Sequence, residues 1–137
     1  MPYQPTQSPA LAHVRVRDCM HVGTLTCGAE DSLQDVAAIM ADHRVHAVVI
    51  TTANGTRPVA VVSDLDVVAA VAAGIDCSAH EAAATEALTV SADEPVRTAA
   101  QLMSEHGVSH LVVVDAAGGY PVGVLSTLDV AAVYAGT

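Results

Sequence analysis

The sequence is written twice. Sliding the chain against itself by 63 positions, without a gap, pairs Met40 with Met103, His43 with His106, Val45 with Val108 and Val49 with Val112. The same shift pairs Gly55 with Gly118, Pro58 with Pro121, Ser63 with Ser126, Leu65 with Leu128 and Asp66 with Asp129. A repeat of this period is one supersecondary unit made twice, and a single unit of about 60 residues closes only a thin core. The two copies are therefore expected to bury their apolar faces against each other as one pseudo-twofold domain.

Each copy reads the same way. Leu33, Val36, Ala37 and Met40, and again Val96, Ala99, Ala100 and Met103, follow the i, i+3, i+4, i+7 spacing of a helix with one core-facing side. Asp31 and Ser32 offer capping oxygens to the first helix, and Asp35 stands where it can reach back to the open amides. In the second, Glu94 precedes Pro95, read as the first helical position. The β-branched runs 47–50 and 111–114 predict strands buried on both faces. Turn segments 51–57, with Asn54-Gly55, and 115–120, with Gly118-Gly119, lead into second strands at 58–62 and 121–125. Ala/Val-rich helices follow at 65–73 and 128–135, ended by Gly74 and Gly136. Between the copies, Ser78-Ala79-His80-Glu81 has the form of a capping box that opens a short helix running into Leu88. The fold class is α/β (α+β): two β-α-β-β-α motifs packed through their sheets. Residues 1–12, with Pro2, Pro5 and Pro9, are expected as a flexible N-terminal segment, followed by motif one over 13–75 and motif two over 76–137.

Composition narrows the function. The net charge is −10 and there is no Lys, so a nucleic-acid backbone is repelled. With 52% hydrophobic and only 15% charged residues, part of the outside is expected to be covered by a second copy, giving a homodimer. Cys19, Cys27 and Cys77 match no zinc or redox spacing and are odd in number, as reduced thiols of a cytoplasmic protein would be. The N-terminus has no apolar stretch of a signal peptide, and the longest apolar run, 67–75, falls well short of the about 20 residues that span a bilayer. No membrane partner is expected. With no Trp, no Phe and three Tyr, any bound aromatic base must be sandwiched by aliphatic side chains.

Both second strands run into S-x-x-D, as Ser63-Asp64-Leu65-Asp66 and Ser126-Thr127-Leu128-Asp129. The pattern is a helix cap with an acid at the third position. A cap alone requires neither the same acid in both copies nor its place at the mouth where strands hand over to helices, which is where α/β folds put ligands. A carboxylate there can accept both hydrogens of a vicinal diol, so Asp66 and Asp129, with Ser63 and Ser126 beside them, are the candidate ribose anchors.

The repeated block, with Val-Ser-His-Leu-Val-Val-Val-Asp at 108–115 and Gly-Val-Leu-Ser-Thr-Leu-Asp at 123–129, resembles the CBS motif, named for cystathionine β-synthase. The resemblance covers about 14–135, and the two-copy arrangement is that family's usual pair, the Bateman module. It implies a regulatory ligand such as AMP, ADP, ATP or S-adenosylmethionine, held in clefts between the motifs, with each ribose-binding Asp on one motif and the adenine wall on the other. Carried over, Asp129, Ser126 and Val124 would face Leu25 and Val45, while Asp66, Ser63 and Val61 would face Leu88 and Val108. The family's phosphate positions fall on His46 and Ala47 in copy one, and on Ser109 and His110 in copy two. Three departures stand out. Val49 and Val112 replace a frequent Pro, Ala60 replaces the Gly that copy two keeps as Gly123, and the phosphate positions lack Arg and Lys. The last departure favours AMP, an adenosine thioether or one vacant site over a di- or triphosphate.

Other residues have plainer readings. His43-x-x-His46 is spaced to share a helix face, but copy two offers His106 and His110 at a different spacing, and no carboxylate or Cys completes a ligand set, so no metal is expected. His43 and His106 suit the last turn of a helix. Arg15, Arg17, Arg44, Arg57 and Arg97 are each either a phosphate contact or a solvated charge, and Cys27 is a small core residue. No nucleophile–base pair is present, so no catalysis and no catalytic cofactor is expected. Two functions remain: a stand-alone sensor whose output lies in an unknown effector protein, or a constitutive structural dimer with vestigial clefts.

Overall fold

The computed structural model describes residues 13–136; the expectation for 1–12 lies outside them. The chain order is α1 (Val16–Cys19), β1 (His21–Val22), β2 (Thr26–Cys27), α2 (Leu33–His43), β3 (Ala47–Thr51), β4 (Pro58–Ser63) and α3 (Asp64–Ala73). It continues with α4 (Ala79–Ala82), β5 (Thr85–Glu86), β6 (Thr89–Ser91), α5 (Val96–His106), β7 (His110–Val114), β8 (Pro121–Ser126) and α6 (Thr127–Ala135). No helix among the described residues is long and apolar enough to cross a membrane.

The strands form two four-stranded sheets, ordered β2-β3-β4-β5 and β1-β8-β7-β6. In each, the first strand of the motif runs parallel to the second (β2 with β3, β6 with β7), and the hairpins β3-β4 and β7-β8 are antiparallel. Residues 47–50 of β3 are buried, as the apolar run predicts, and Thr51 with them, whereas in β7 Leu111, Val112 and Val113 are buried and Val114 is half-buried. The cores follow the helical stripes: Leu33, Val36 and Met40 with Val48, Ile50 and Val62 on one side, and Ala99 and Met103 with Leu111, Val113 and Leu125 on the other. Alternate strand residues Ala47, Val49, Val61 and Val112 point the other way and form a third cluster that joins the sheets.

The repeat is also legible in the backbone hydrogen bonds. Val49 N–H donates to the Leu25 carbonyl at 3.0 Å and Val112 N–H to that of Leu88 at 3.0 Å; Asp64 N–H donates to His46 at 2.9 Å and Thr127 N–H to Ser109 at 3.0 Å. Each bond recurs 63 residues on. The edges are exchanged between copies. Residues 14–22, ahead of motif one's first strand, dock on the second sheet, with Val16 fully buried in its core and β1 on β8. Residues 79–86 dock on the first, with Ala79 in its core and β5 on β4.

Four local expectations need correction. Pro95 is the cap rather than the first residue of α5, because its ψ of 147° is extended and helical geometry starts at Val96. Asp35 does not reach back: Ser32 Oγ accepts from the Asp35 amide at 3.1 Å, and Asp31 turns instead to the Gly28 amide at 2.8 Å. The linker helix lasts one turn, ending at Ala82, because pairing of Thr85 and Glu86 with β4 competes with helix continuation. β7 begins at His110 rather than 111, and β3, β4 and β8 each run one residue further, to Thr51, Ser63 and Ser126.

Candidate ligand site

Each second strand ends on the serine that caps the next helix, so strand end and helix start share a residue. Ser63 N–H donates to Asp66 Oδ2 at 2.9 Å, and Asp66 N–H donates to Ser63 Oγ at 3.3 Å. The second junction repeats this: Ser126 N–H and hydroxyl donate to Asp129 Oδ2 at 2.8 and 3.0 Å, and Asp129 N–H donates to Ser126 Oγ at 3.2 Å. Both acids are thus capping residues, and each uses a single oxygen, Oδ2, for that purpose. The other oxygens differ. Asp66 Oδ1 has no partner among the described residues, while Asp129 Oδ1 lies 3.2 Å from His21 Nε2.

The apolar residues predicted around these acids are distributed over the seam. Val61 and Val124 meet in the inter-sheet cluster. Leu88 stands where the chain leaves β5 for β6: Ala87 N–H still donates to Val59 on the first sheet, and the Leu88 carbonyl already accepts from Val112 on the second. Leu25 occupies the matching crossover, between Gly23, bonded to Val122, and β2. Val45 and Val108 pack on the helix cores of their own motifs. Two surface hollows adjoin the junctions. One, of about 440 Å³, is lined by Asp129 with Val14, Asp18, Cys19 and Val133; the other, of about 330 Å³, by Val108 and Thr127 with Ala100, Met103 and Val130. Neither combines an acid with its expected facing wall.

Two of the four positions expected to meet a phosphate, His46 and His110, carry imidazoles. His46 Nδ1 lies 2.8 Å from Asp64 Oδ2, and this bond holds the Asp64 carboxyl below the usual carboxylate range. Ser109 Oγ lies 3.0 Å from His110 Nδ1. Burial pushes His110 below the ordinary histidine range, opposed by the pull of Asp64 and Asp129 and reinforced by His46 and His21. His110 therefore sits within electrostatic reach of acids from both junctions, whereas Ala47 is buried in the inter-sheet cluster. Of the arginines, Arg15 donates to the Asp93 carbonyl and Arg17 pairs with the Asp93 carboxylate, so both pin α1 to the second motif rather than standing free for a phosphate. Arg44, Arg57 and Arg97 are exposed. His43 turns its Nδ1 to the Ile39 carbonyl at 3.0 Å, apart from His46, and no group of three His, Cys, Asp or Glu among the described residues is placed to hold a metal. Cys27 is buried, and burial pushes its thiol up to about 11, where it stays protonated.

Sequence reasoning missed three polar residues. Asp64 sits inside the S-x-x-D pattern but has Thr127 as its repeat mate. His21 lies outside the gapless alignment. Thr24, on the Leu25 crossover, has the one buried side-chain oxygen among the described residues without a hydrogen-bond partner. Only the first carried a signal, a charge breaking the repeat.

The family model for the CBS domain matches residues 16–73 and 79–136. Comparison with curated proteins returned no match. Among solved structures, a CBS domain protein from Pyrobaculum aerophilum complexed with AMP is 34% identical, with a TM-score of 0.77 over 85% of this chain and 89% of that one. The CBS domain pair of protein MJ0100, in complex with 5′-methylthioadenosine and S-adenosyl-L-methionine, is 24% identical, with a TM-score of 0.80 over 90% and 97%. Hypoxic Response Protein I, with two coordinated zinc ions, is 27% identical, with a TM-score of 0.69 over 86% and 97%.

Proposed function

The chain belongs to the CBS domain family as a tandem pair, and from that premise we propose that it is a regulatory, non-catalytic module that binds an adenosine-type ligand and passes its occupancy to a partner protein. The observation that carries this reading is the duplicated acid: at each strand-to-helix junction the capping serine holds the carboxylate through Oδ2 only, and at Asp66 the second oxygen is left for a diol. The AMP complex of the 34% identical relative supports the ligand class. Val61, Leu88 and Val108 on one side, and Val124, Leu25 and Val45 on the other, are the aliphatic walls for the base. His46, Ser109 and His110 stand at the phosphate positions.

The charge at those positions narrows the ligand. Asp64 holds an anion against His46, one of the expected phosphate positions, with only imidazoles to offset it, so AMP or an adenosine thioether such as S-adenosylmethionine is favoured over ATP. The exposed stripe of Leu65, Val68, Val71 and Ile75 on and after α3, with Leu128 and Tyr134 on α6, is the surface a second copy would cover in a homodimer. One observation favours a purely structural role: the Asp129 oxygen left over from capping already faces His21 Nε2 at 3.2 Å. Calorimetric titration with AMP, S-adenosylmethionine, 5′-methylthioadenosine and ATP separates the readings. Binding of AMP or a thioether ahead of ATP is the expected result, and silence from all four leaves only the scaffold.

A further inference from the structure

We propose that the two adenosine sites are unequal by construction, because His21 latches the Asp129 carboxylate, its Nε2 3.2 Å from Oδ1, while among the described residues the matching oxygen of Asp66 has no partner. This rests on the ribose-anchor reading above. The edge strands place different residues at equivalent registers: β1 sets His21 opposite Val124, whereas β5 sets Thr85 opposite Val61. The difference begins one step further along. The first crossover, Gly23-Thr24-Leu25, has one more residue than the second, Ala87-Leu88, between equivalent backbone bonds, so the edge strand is shifted by one relative to the repeat.

The latch has a firm base and a loose tip. β1 lies so close to β8 that a Cβ on Gly123 would collide with the His21 carbonyl and the Met20 sulfur, while the first sheet carries Ala60 at that place. The backbone of His21 is therefore fixed over the Asp129 junction. Its side chain, at 75% exposed, is free to swing off an acid that is itself only 13% exposed. A ligand entering at Asp129 must displace the imidazole, and its apparent affinity is the intrinsic affinity multiplied by the fraction of time the latch is open. A partly exposed pair of this kind amounts to roughly a twofold to fivefold weakening. Such a chain fills the Asp66 site first and the Asp129 site at higher ligand concentration, which gives a sensor a wider working range.

The test is calorimetric titration of AMP into single-site proteins. Asp66→Asn leaves only the Asp129 site and Asp129→Asn only the Asp66 site, with Asn keeping an oxygen for the capping amide; circular dichroism verifies the fold of each. Adding His21→Ala is expected to tighten binding about twofold to fivefold in the Asp66→Asn background and to leave the Asp129→Asn background unchanged. Equal affinity with and without His21, or weaker binding on its loss, overturns the latch while the anchor reading stands. No AMP binding by the unsubstituted protein overturns both.

Discussion

A carboxylate that caps a helix has one oxygen to spare, and at Asp66 and Asp129 this decides whether the residue is structural, functional or both. The cap was legible in the sequence because S-x-x-D is a local pattern, set by a three-residue spacing. The contact of His21 with Asp129 was not, since it depends on a strand pairing between residues about a hundred apart. Thr24 belongs with the second kind. Its buried, unpartnered hydroxyl costs the fold about 1 kcal/mol or more, which the isosteric Thr24→Val should recover in denaturant melts. A drop in stability would show that the hydroxyl is already satisfied. Titration at His110 has a definite sign. Folding lowers its pKa, so as pH falls below the ordinary value of about 6.5 the unfolded chain takes the proton first and stability declines. Asp64, also lowered, acts further down, supporting the fold above the usual carboxylate value and losing that support as pH drops through its folded one. Unfolding free energies between pH 7 and 5 should therefore fall for the native sequence and fall less for His110→Asn; parallel slopes would contradict this.

At the scale of elements, the two core helices show how similar patterns reach the same end by different means. Both end in the left-handed conformation, α5 at Gly107 with φ 64° and α2 at Arg44 with φ 54°. Arginine carries a steric cost there that glycine does not, of roughly 1 kcal/mol. Arg44→Gly is thus expected to raise the unfolding free energy by about 0.5–1 kcal/mol, read as a higher melting temperature. A lower one would mean that the Arg44 side chain makes a contact outweighing the strain. The helices and hairpins were readable because their apolar periods, caps and turn glycines are local. The edge strands were not: two-residue segments such as His21-Val22 and Thr85-Glu86 carry no periodicity, and only the sheet they join makes them strands.

The whole molecule is two motifs that cannot be pulled apart cleanly. Each sheet takes its outer strand and a helical turn from the segment that precedes the other motif's first strand, and a shared apolar cluster joins the sheets. Pseudo-twofold packing followed from the thin core of a single repeat, but the exchange of edges did not, since nothing local says which sheet a short lead-in segment will join. Interlocking of this kind predicts one cooperative unfolding transition with coincident fluorescence and circular dichroism curves, and resolved transitions for the halves would contradict it. For the central claim, that Asp66 and Asp129 are ribose anchors as well as caps, the most direct measurement is a crystal structure of the protein with AMP. The ribose hydroxyls are expected within hydrogen-bond distance of Asp66 Oδ1, with Oδ2 still on the Ser63 amide. An occupied cleft in which both acids keep only their capping bonds would contradict it.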